Sequence, residues 1–135
     1  MTLLEEWVDK AEGDYKSAVI LNRTRKGTPY DSVCYHCQQS AEKYLKAYLI
    51  LQGAIPRRTH DLEVLLFECA NYDATVSRLL PYVRLLERMS QSQWEVRRWY
   101  IRILRGYGAV LLLLHLPFCI ISAQCGREHP QVLVA

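Results

Sequence analysis

Histidine, glutamine and lysine side chains recur every three or four residues in one stretch of the chain. Four of them have the spacing that places side chains on one face of a helix: His36, Gln39, Lys43 and Lys46. Lysine is a mobile hydrogen-bond donor that contacts phosphate as a point charge, and histidine titrates near neutral pH. This stripe is therefore a candidate ligand-binding surface. The alternative is an ordinary solvated helix face, on which Ser32 would also lie.

A second candidate site lies where basic residues precede a predicted helix start. Arg57, Arg58 and His60 occupy this position. Backbone amides at a helix N-terminus attract anions, so an anion could be held between the arginines and the amides. His60 could bind phosphate or transfer a proton. The alternative is that Thr59 caps the helix, Asp61 offsets its dipole, and His60 is simply packed or exposed.

Five cysteines occur at irregular spacing, and Cys34 and Cys37 form a C-x-x-C pair. Such a pair suggests zinc or redox chemistry, but a zinc site needs a second pair of ligands at comparable spacing. The two positions share a helix face among apolar neighbours, so we interpret them as buried side chains. We predict no metal and no cofactor. Residues 1–20 lack the pattern of a secretory signal, which together with reduced thiols indicates a cytoplasmic protein.

Helical periodicity dominates the segments that would position these side chains. Apolar residues recur at helical spacing over residues 3–22, which predicts a first helix. Thr28 can cap a second helix, and Pro29 suits its first position. Gly53 is predicted to end that helix. The polar stripe therefore belongs to the second helix.

The remaining pattern predicts two further helical regions and no strand. Thr59 begins a shorter third helix, and a fourth region spans about 73–98, divided by Pro81. Four amphipathic helices with short connections predict an all-α fold, an antiparallel up-and-down four-helix bundle over residues 3–105. The length of 135 residues suits one domain with a single core. A net charge of +3 is too mild to indicate nucleic-acid binding by itself.

The C-terminal segment, residues 106–135, departs from this pattern. Its apolar run over 109–122 is shorter than the roughly 20 residues that cross a bilayer, and His115 and Pro117 interrupt it. We therefore predict no association with a membrane. Three interpretations stay open: a buried extra helix, a re-entrant or interfacial segment, and translation out of frame, which the raw coding frame would test.

Three segments, in order and spacing, resemble the HEPN family of small helical domains. They are residues 7–14 (WVDKAEGD), 35–47 (YHCQQSAEKYLKA) and 56–62 (PRRTHDL). The resemblance covers roughly residues 3–90, and the Gln-Gln-x-Ala-Glu-Lys string is its most specific part. It implies an up-and-down helical bundle that commonly forms homodimers. It also implies pairing with a minimal nucleotidyltransferase and nucleotide-related binding.

A subset of the family is implied to have ribonuclease activity, which depends on an Arg followed four to six residues later by His. Such a pair suits RNA cleavage because the His can move protons while the Arg stabilises charge on phosphate. This sequence lacks the pair. Arg105 and His115 are too far apart, and Arg127 and His129 are too close.

We therefore predict a non-catalytic HEPN-type module that binds a partner nucleotidyltransferase and/or a nucleotide, as one half of a toxin–antitoxin-like pair. A homodimer is expected, and RNA is not supported as a ligand. The alternative is a metal-independent ribonuclease of the HEPN type. No catalytic residue is assigned, and the candidate ligand-binding residues are His36, Gln39, Lys43, Lys46, Arg57, Arg58 and His60.

Overall fold

The computed structural model describes residues 1–24, 26–27 and 29–91, and all regular structure in these ranges is helical. This confirms the predicted all-α fold class. The elements in chain order are α1 (Leu3–Asn22), α2 (Tyr30–Leu51), α3 (Leu62–Ala70), a 3₁₀ segment (Ala74–Leu79) and α4 (Leu80–Gln91). Among these residues, no helix combines the length and the apolar character that spanning a membrane requires. The predicted tail, 106–135, lies outside the described residues.

The predicted bounds of α1 are confirmed, and its start is fixed by a capping box. The Thr2 hydroxyl accepts from the backbone N–H of Glu5 at 3.2 Å, and the Glu5 carboxylate accepts from the backbone N–H of Thr2 at 2.7 Å. Two backbone donors at the helix start are satisfied in this way. The sequence pattern T-x-x-E carries this signal.

The end of α2 follows the prediction, whereas its start is shifted by one residue. Gly53 has φ +80°. Its N–H donates to the carbonyl of Ile50, and the N–H of Ala54 donates to that of Leu49, both at 2.9 Å. These two bonds form a Schellman motif, which favours glycine because L side chains clash in the left-handed region. At the other end Pro29 is the cap rather than the first helical residue. The predicted cap, Thr28, lies outside the described residues.

The prediction that Thr59 begins α3 is wrong, because Asp61 caps this helix. The Asp61 carboxylate accepts from the N–H groups of Glu63 at 3.0 Å and Val64 at 3.1 Å. The Thr59 hydroxyl instead accepts from the N–H of Asp61 at 3.1 Å. Both residues are good caps, but the carboxylate also complements the helix dipole. The cap is therefore Asp61, and the helix begins at Leu62, three residues after Thr59.

The fourth helical region is divided close to Pro81, as predicted. Residues Ala74–Leu79 form the 3₁₀ segment, whose start is capped by Asp73, and α4 begins at Leu80. Pro81 lies in the first turn of α4, where its missing N–H would have no intrahelical acceptor. The predicted extension of this region to residue 98 lies outside the described residues.

The core is built around α2, which packs against α1, α3 and α4. Cys34, Cys37 and Cys69 are buried in it as free thiols, which confirms the interpretation of the C-x-x-C pair as buried side chains. Burial raises the pKa of Cys34 to about 11 and that of Cys69 to about 12. The large fully buried side chains are Tyr44, Leu49, Leu62, Leu65 and Leu66.

Candidate functional site

Most of the predicted site residues are gathered around two carboxylates, Asp14 on α1 and Glu42 on α2. We call the first group the Asp14 cluster and the second the Glu42 cluster. The Asp14 cluster contains Asp14, His36 and Lys43, and the Glu42 cluster contains Glu42, Lys46 and His60.

In the Asp14 cluster, one carboxylate on α1 bonds to two side chains on α2. The Nδ1 atom of His36 lies 2.8 Å from Oδ1 of Asp14, and Nζ of Lys43 donates to Oδ2. His36 and Lys43 are seven residues apart, or about two helical turns, so both side chains reach the same helix on the facing side. The Asp14 side chain is 13% exposed, which places this pair of contacts in the contact region between the helices.

Small residues allow α1 and α2 to approach closely beside the Asp14 cluster. Ser40 is fully buried, and its hydroxyl donates to the carbonyl of Ala11 at 2.9 Å. Further along, Nζ of Lys46 lies 5.6 Å from the centroid of the Trp7 ring.

In the Glu42 cluster, a buried carboxylate joins α2 to the loop before α3. Nζ of Lys46 donates to Oε1 of Glu42 at 2.8 Å, and Nδ1 of His60 lies 3.1 Å from Oε2. The side chains of Glu42 and Lys46 are 4% and 9% exposed, whereas that of His60 is 85% exposed. The carboxylate is therefore inside the fold, and the imidazole that it holds lies on the surface.

The alternative interpretation of the α2 stripe as a solvated face is wrong for most of its length. Lys46 is buried, and His36, Gln39 and Lys43 are partly buried, whereas Ser32 is exposed. The reason is that acids on α1 and α2 accept hydrogen bonds from the stripe, which allows its polar groups to leave solvent. Each lysine is matched by one carboxylate, so the stripe is close to electrically balanced.

The loop before α3 does not arrange its basic residues around free helix amides, as the predicted anion site requires. Arg57 is paired with Glu68 through Nε and Oε1 at 2.5 Å, and Arg58 is exposed. The first amides of α3 are already bonded to carboxylates, because Asp61 caps them and Oε1 of Glu87 accepts from the N–H of Leu62 at 3.0 Å. Two carboxylates at this helix start disfavour an anion there.

The side chains that organise the site were not among the predicted site residues. They are Asp14, Glu42, Trp7, Ser40 and Glu87. For Asp14 the sequence carries a usable signal, since an acid lies between Ala11 and Ala18 on a face that is otherwise buried. For Glu87 the local sequence carries none, because its partner is 25 residues away. Burial raises the pKa of the Glu87 carboxyl.

Comparison with known proteins agrees with the three-segment resemblance. The family model for the HEPN domain matches residues 4–98, which include α1 to α4 and both clusters. No curated protein and no solved structure matches the chain. Because the family match covers well over half of the 135 residues, this chain belongs to the HEPN family.

Proposed function

We propose that this chain is a non-catalytic HEPN-type binding module whose partner is a nucleotidyltransferase-type protein, in a toxin–antitoxin-like pair. The supporting observation is that carboxylates hold the polar side chains in place. Asp14 holds His36 and Lys43, and Glu42 holds Lys46 and His60. A face whose side chains are already held loses little conformational entropy on binding. The finer architecture that goes with this proposal is an antiparallel up-and-down four-helix bundle that forms a homodimer.

The basic side chains of the site are paired with carboxylates, which favours a protein partner or a nucleoside over a ligand that binds mainly through its phosphate groups. Lys43 is matched by Asp14, and Lys46 by Glu42, so neither lysine offers an uncompensated charge. Arg57 is matched by Glu68 in the same way. A triphosphate would have to compete with these internal pairs, whereas a surface with its own donors and acceptors would not.

The proposal predicts that a nucleotidyltransferase is encoded beside this gene, and partner binding can be tested by coexpressing the full chain with that protein. We expect the two proteins to elute together in size-exclusion chromatography. Replacing His36 or His60 by Ala should weaken the complex about tenfold or more, equivalent to about 1.4 kcal/mol. Lys10→Ala, which changes an exposed lysine of α1 outside both clusters, is the matched control. A chain that elutes alone and monomeric would contradict the proposal.

The nucleotide form of the proposal has a separate test. ATP is titrated into the full chain and the heat of binding is measured, then the titration is repeated with Lys43→Ala. Without the Lys43 ammonium, Asp14 keeps His36 as its partner in the cluster, so the change disturbs the stripe without touching the core. We expect weaker binding by the variant, and equal heats for both proteins would exclude the stripe as the nucleotide site.

The second candidate function is a metal-independent ribonuclease, and one observation favours it. Both histidines are held through Nδ1 by a carboxylate, an arrangement that orients an imidazole for proton transfer. It predicts RNA cleavage in the presence of a chelator, lost in His60→Ala or His36→Ala. RNA left unchanged after prolonged incubation with the wild-type chain would rule this function out.

A further inference from the structure

The start of α3 is held by carboxyl groups from two different elements. Asp61, in the loop before α3, accepts through Oδ1 from the N–H groups of Glu63 at 3.0 Å and Val64 at 3.1 Å. Glu87, on α4, accepts through Oε1 from the N–H groups of Leu62 at 3.0 Å and Glu63 at 3.4 Å. The first amides of a helix have no acceptor within it, so these side chains take that place. We call Asp61, Glu87 and the amides that they bind the α3–α4 junction.

The two carboxyl groups of the junction meet at one donor. The N–H of Glu63 is bonded to Oδ1 of Asp61 and to Oε1 of Glu87. The two side chains are also hydrogen-bonded to each other. An ionised carboxylate only accepts hydrogen bonds, so a bond between two carboxyl groups requires a proton on one of them. The junction therefore binds a proton as well as the helix start.

Glu87 is the better carrier of this proton, because its side chain is partly buried whereas Asp61 is exposed. Burial raises the pKa of the Glu87 carboxyl, and the charge of Asp61 and the hydrogen bond to it act in the same direction. The amides of Glu63 and Leu62 lower this pKa, but the net direction is upward from the ordinary value of 4.5.

We infer that the α3–α4 junction is a pH-sensitive latch, in which protonated Glu87 donates from Oε2 to the Asp61 carboxylate while its Oε1 accepts from the first amides of α3. Oε1 acts as the carbonyl oxygen of a carboxylic acid, and Oε2 is the hydroxyl. When Glu87 loses the proton, the bond between the two side chains is lost and two like charges face each other. α4 then holds the start of α3 less firmly.

The direction of the pH dependence follows from the raised pKa of Glu87. A raised pKa in the folded chain means that folding favours the protonated carboxyl. The stabilisation is therefore complete below the ordinary pKa of 4.5, and it is lost as pH rises through the higher folded value.

The other charged groups around the junction are balanced or turned outward. Arg84, one turn before Glu87 on α4, donates to the Glu63 carboxylate at 2.9 Å. From α2 the Glu42 cluster is paired within itself, and Arg78 of the 3₁₀ segment is exposed. Asp61 is thus the charged group that acts directly on Glu87.

Carbon-13 NMR of the side-chain carboxyl groups, recorded on the full chain from about pH 3 to about pH 8, measures the protonation of Glu87 directly. Its resonance is assigned with Glu87→Gln. We expect a midpoint above 4.5 in the wild-type chain and a lower midpoint in Asp61→Asn. Asn still caps the helix, but it carries no charge and its amide donates to the Glu87 carboxylate.

Glu68→Gln is the matched control, because it removes a carboxylate from the last turn of the same helix. It should leave the Glu87 midpoint unchanged. A wild-type midpoint at or below 4.5, or the same midpoint in Asp61→Asn, would overturn the inference. The wild-type titration does not depend on whether any variant folds.

The latch itself is followed through the amide of Leu62, the first residue of α3, whose N–H donates to Glu87. Its protection from hydrogen exchange is measured at about pH 4 and about pH 7.5, and is expressed relative to the unstructured rate at each pH. We expect protection to fall with rising pH in the wild-type chain and to stay constant in Glu87→Gln, which keeps an acceptor and a donor without titrating.

Equal protection of the wild-type Leu62 amide at both pH values, or an equal fall in the two proteins, would overturn the latch. None of these measurements needs a partner or a nucleotide, so their outcome is independent of the proposed function.

Discussion

Replacing Lys46 by Met tests whether the Glu42 cluster is an internal part of the fold. Met keeps most of the length of the lysine stem and its packing near Trp7, but removes the ammonium group. The Glu42 carboxylate, 4% exposed, would then retain His60 as its side-chain partner in the cluster. The variant therefore isolates the effect of an uncompensated buried charge.

The expected loss is about 3 kcal/mol of the free energy of unfolding. Breaking a buried pair by removing one partner costs about 3–5 kcal/mol, and the lost contact between Lys46 and the Trp7 ring adds to it. The contact between the Glu42 carboxylate and Nδ1 of His60 remains in the variant, which favours the lower end of the range. A helix pair of the same spacing on the surface would contribute only about 0.3–0.5 kcal/mol. The losses of unfolding free energy expected for a buried pair and for a surface pair therefore differ several-fold, and urea unfolding can distinguish them.

The measurement is urea unfolding of the full chain at neutral pH, monitored by circular dichroism. Arg57→Met removes an ion pair whose arginine is 73% exposed and should cost about 0–1 kcal/mol. The double variant Glu42→Leu with Lys46→Met should regain most of the loss, because no charge is left buried. A loss below about 1 kcal/mol for Lys46→Met would refute the reasoning, since it would mean that water reaches the Glu42 carboxylate.

Three further predictions concern the cysteines, the glycines and one cap. Burial raises the pKa values of Cys37 and Cys69, so both thiols should resist alkylation in the native chain and react after denaturation. Mass spectrometry of the labelled chain maps the sites, and rapid labelling of the native chain would contradict their burial. Gly53→Ala should lower the free energy of unfolding by about 1–2 kcal/mol, because Gly53 has φ +80°. Gly13→Ala should raise it by about 0.5–1 kcal/mol, because Gly13 lies within α1 and a Cβ there would meet open space. Equal effects of the two variants in urea unfolding would contradict this. Hydrogen bonds from the hydroxyl and backbone of Thr75 hold the pKa of Asp73 below its ordinary value of 3.8, so this cap should stabilise the fold at neutral pH and lose that effect as pH falls from 3.8 through the lower folded value. An NMR titration of Asp73 with a midpoint at or above 3.8 would disprove it.

The helices were predictable wherever the decisive interactions are local. The bounds of α1 follow from apolar spacing, and the end of α2 follows from Gly53, because each depends on residues within a few positions. The start of α3 was placed wrongly because Thr59 and Asp61 are both good caps. Local preference separates them only through the helix dipole, and the hydrogen bond from the backbone N–H of Leu62 to Glu87 on α4 also contributes to the choice.

The candidate site was predictable in its residue types but not in its partners. The spacing of His36, Lys43 and Lys46 identified a stripe on α2. It could not show that Asp14 on α1 approaches this stripe, because that contact joins positions 22 and 29 residues apart. Glu42 and Lys46 are four residues apart, which is the spacing of a helix ion pair, and such a pair is weak when it lies on the surface. Burial raises the cost of breaking this pair, and burial depends on how the helices pack together.

The Glu42 cluster also links α1, α2 and the loop before α3. Lys46 lies over Trp7 of α1, donates to Glu42 of α2, and shares that carboxylate with His60 of the loop. A chain of contacts therefore ties the exposed imidazole to the two longest helices. Because a buried charge pair tolerates little displacement, His60 is held in place although most of its surface is in solvent. Such an arrangement favours recognition through preset hydrogen bonds, in which the orientation of the imidazole is decided before the partner arrives.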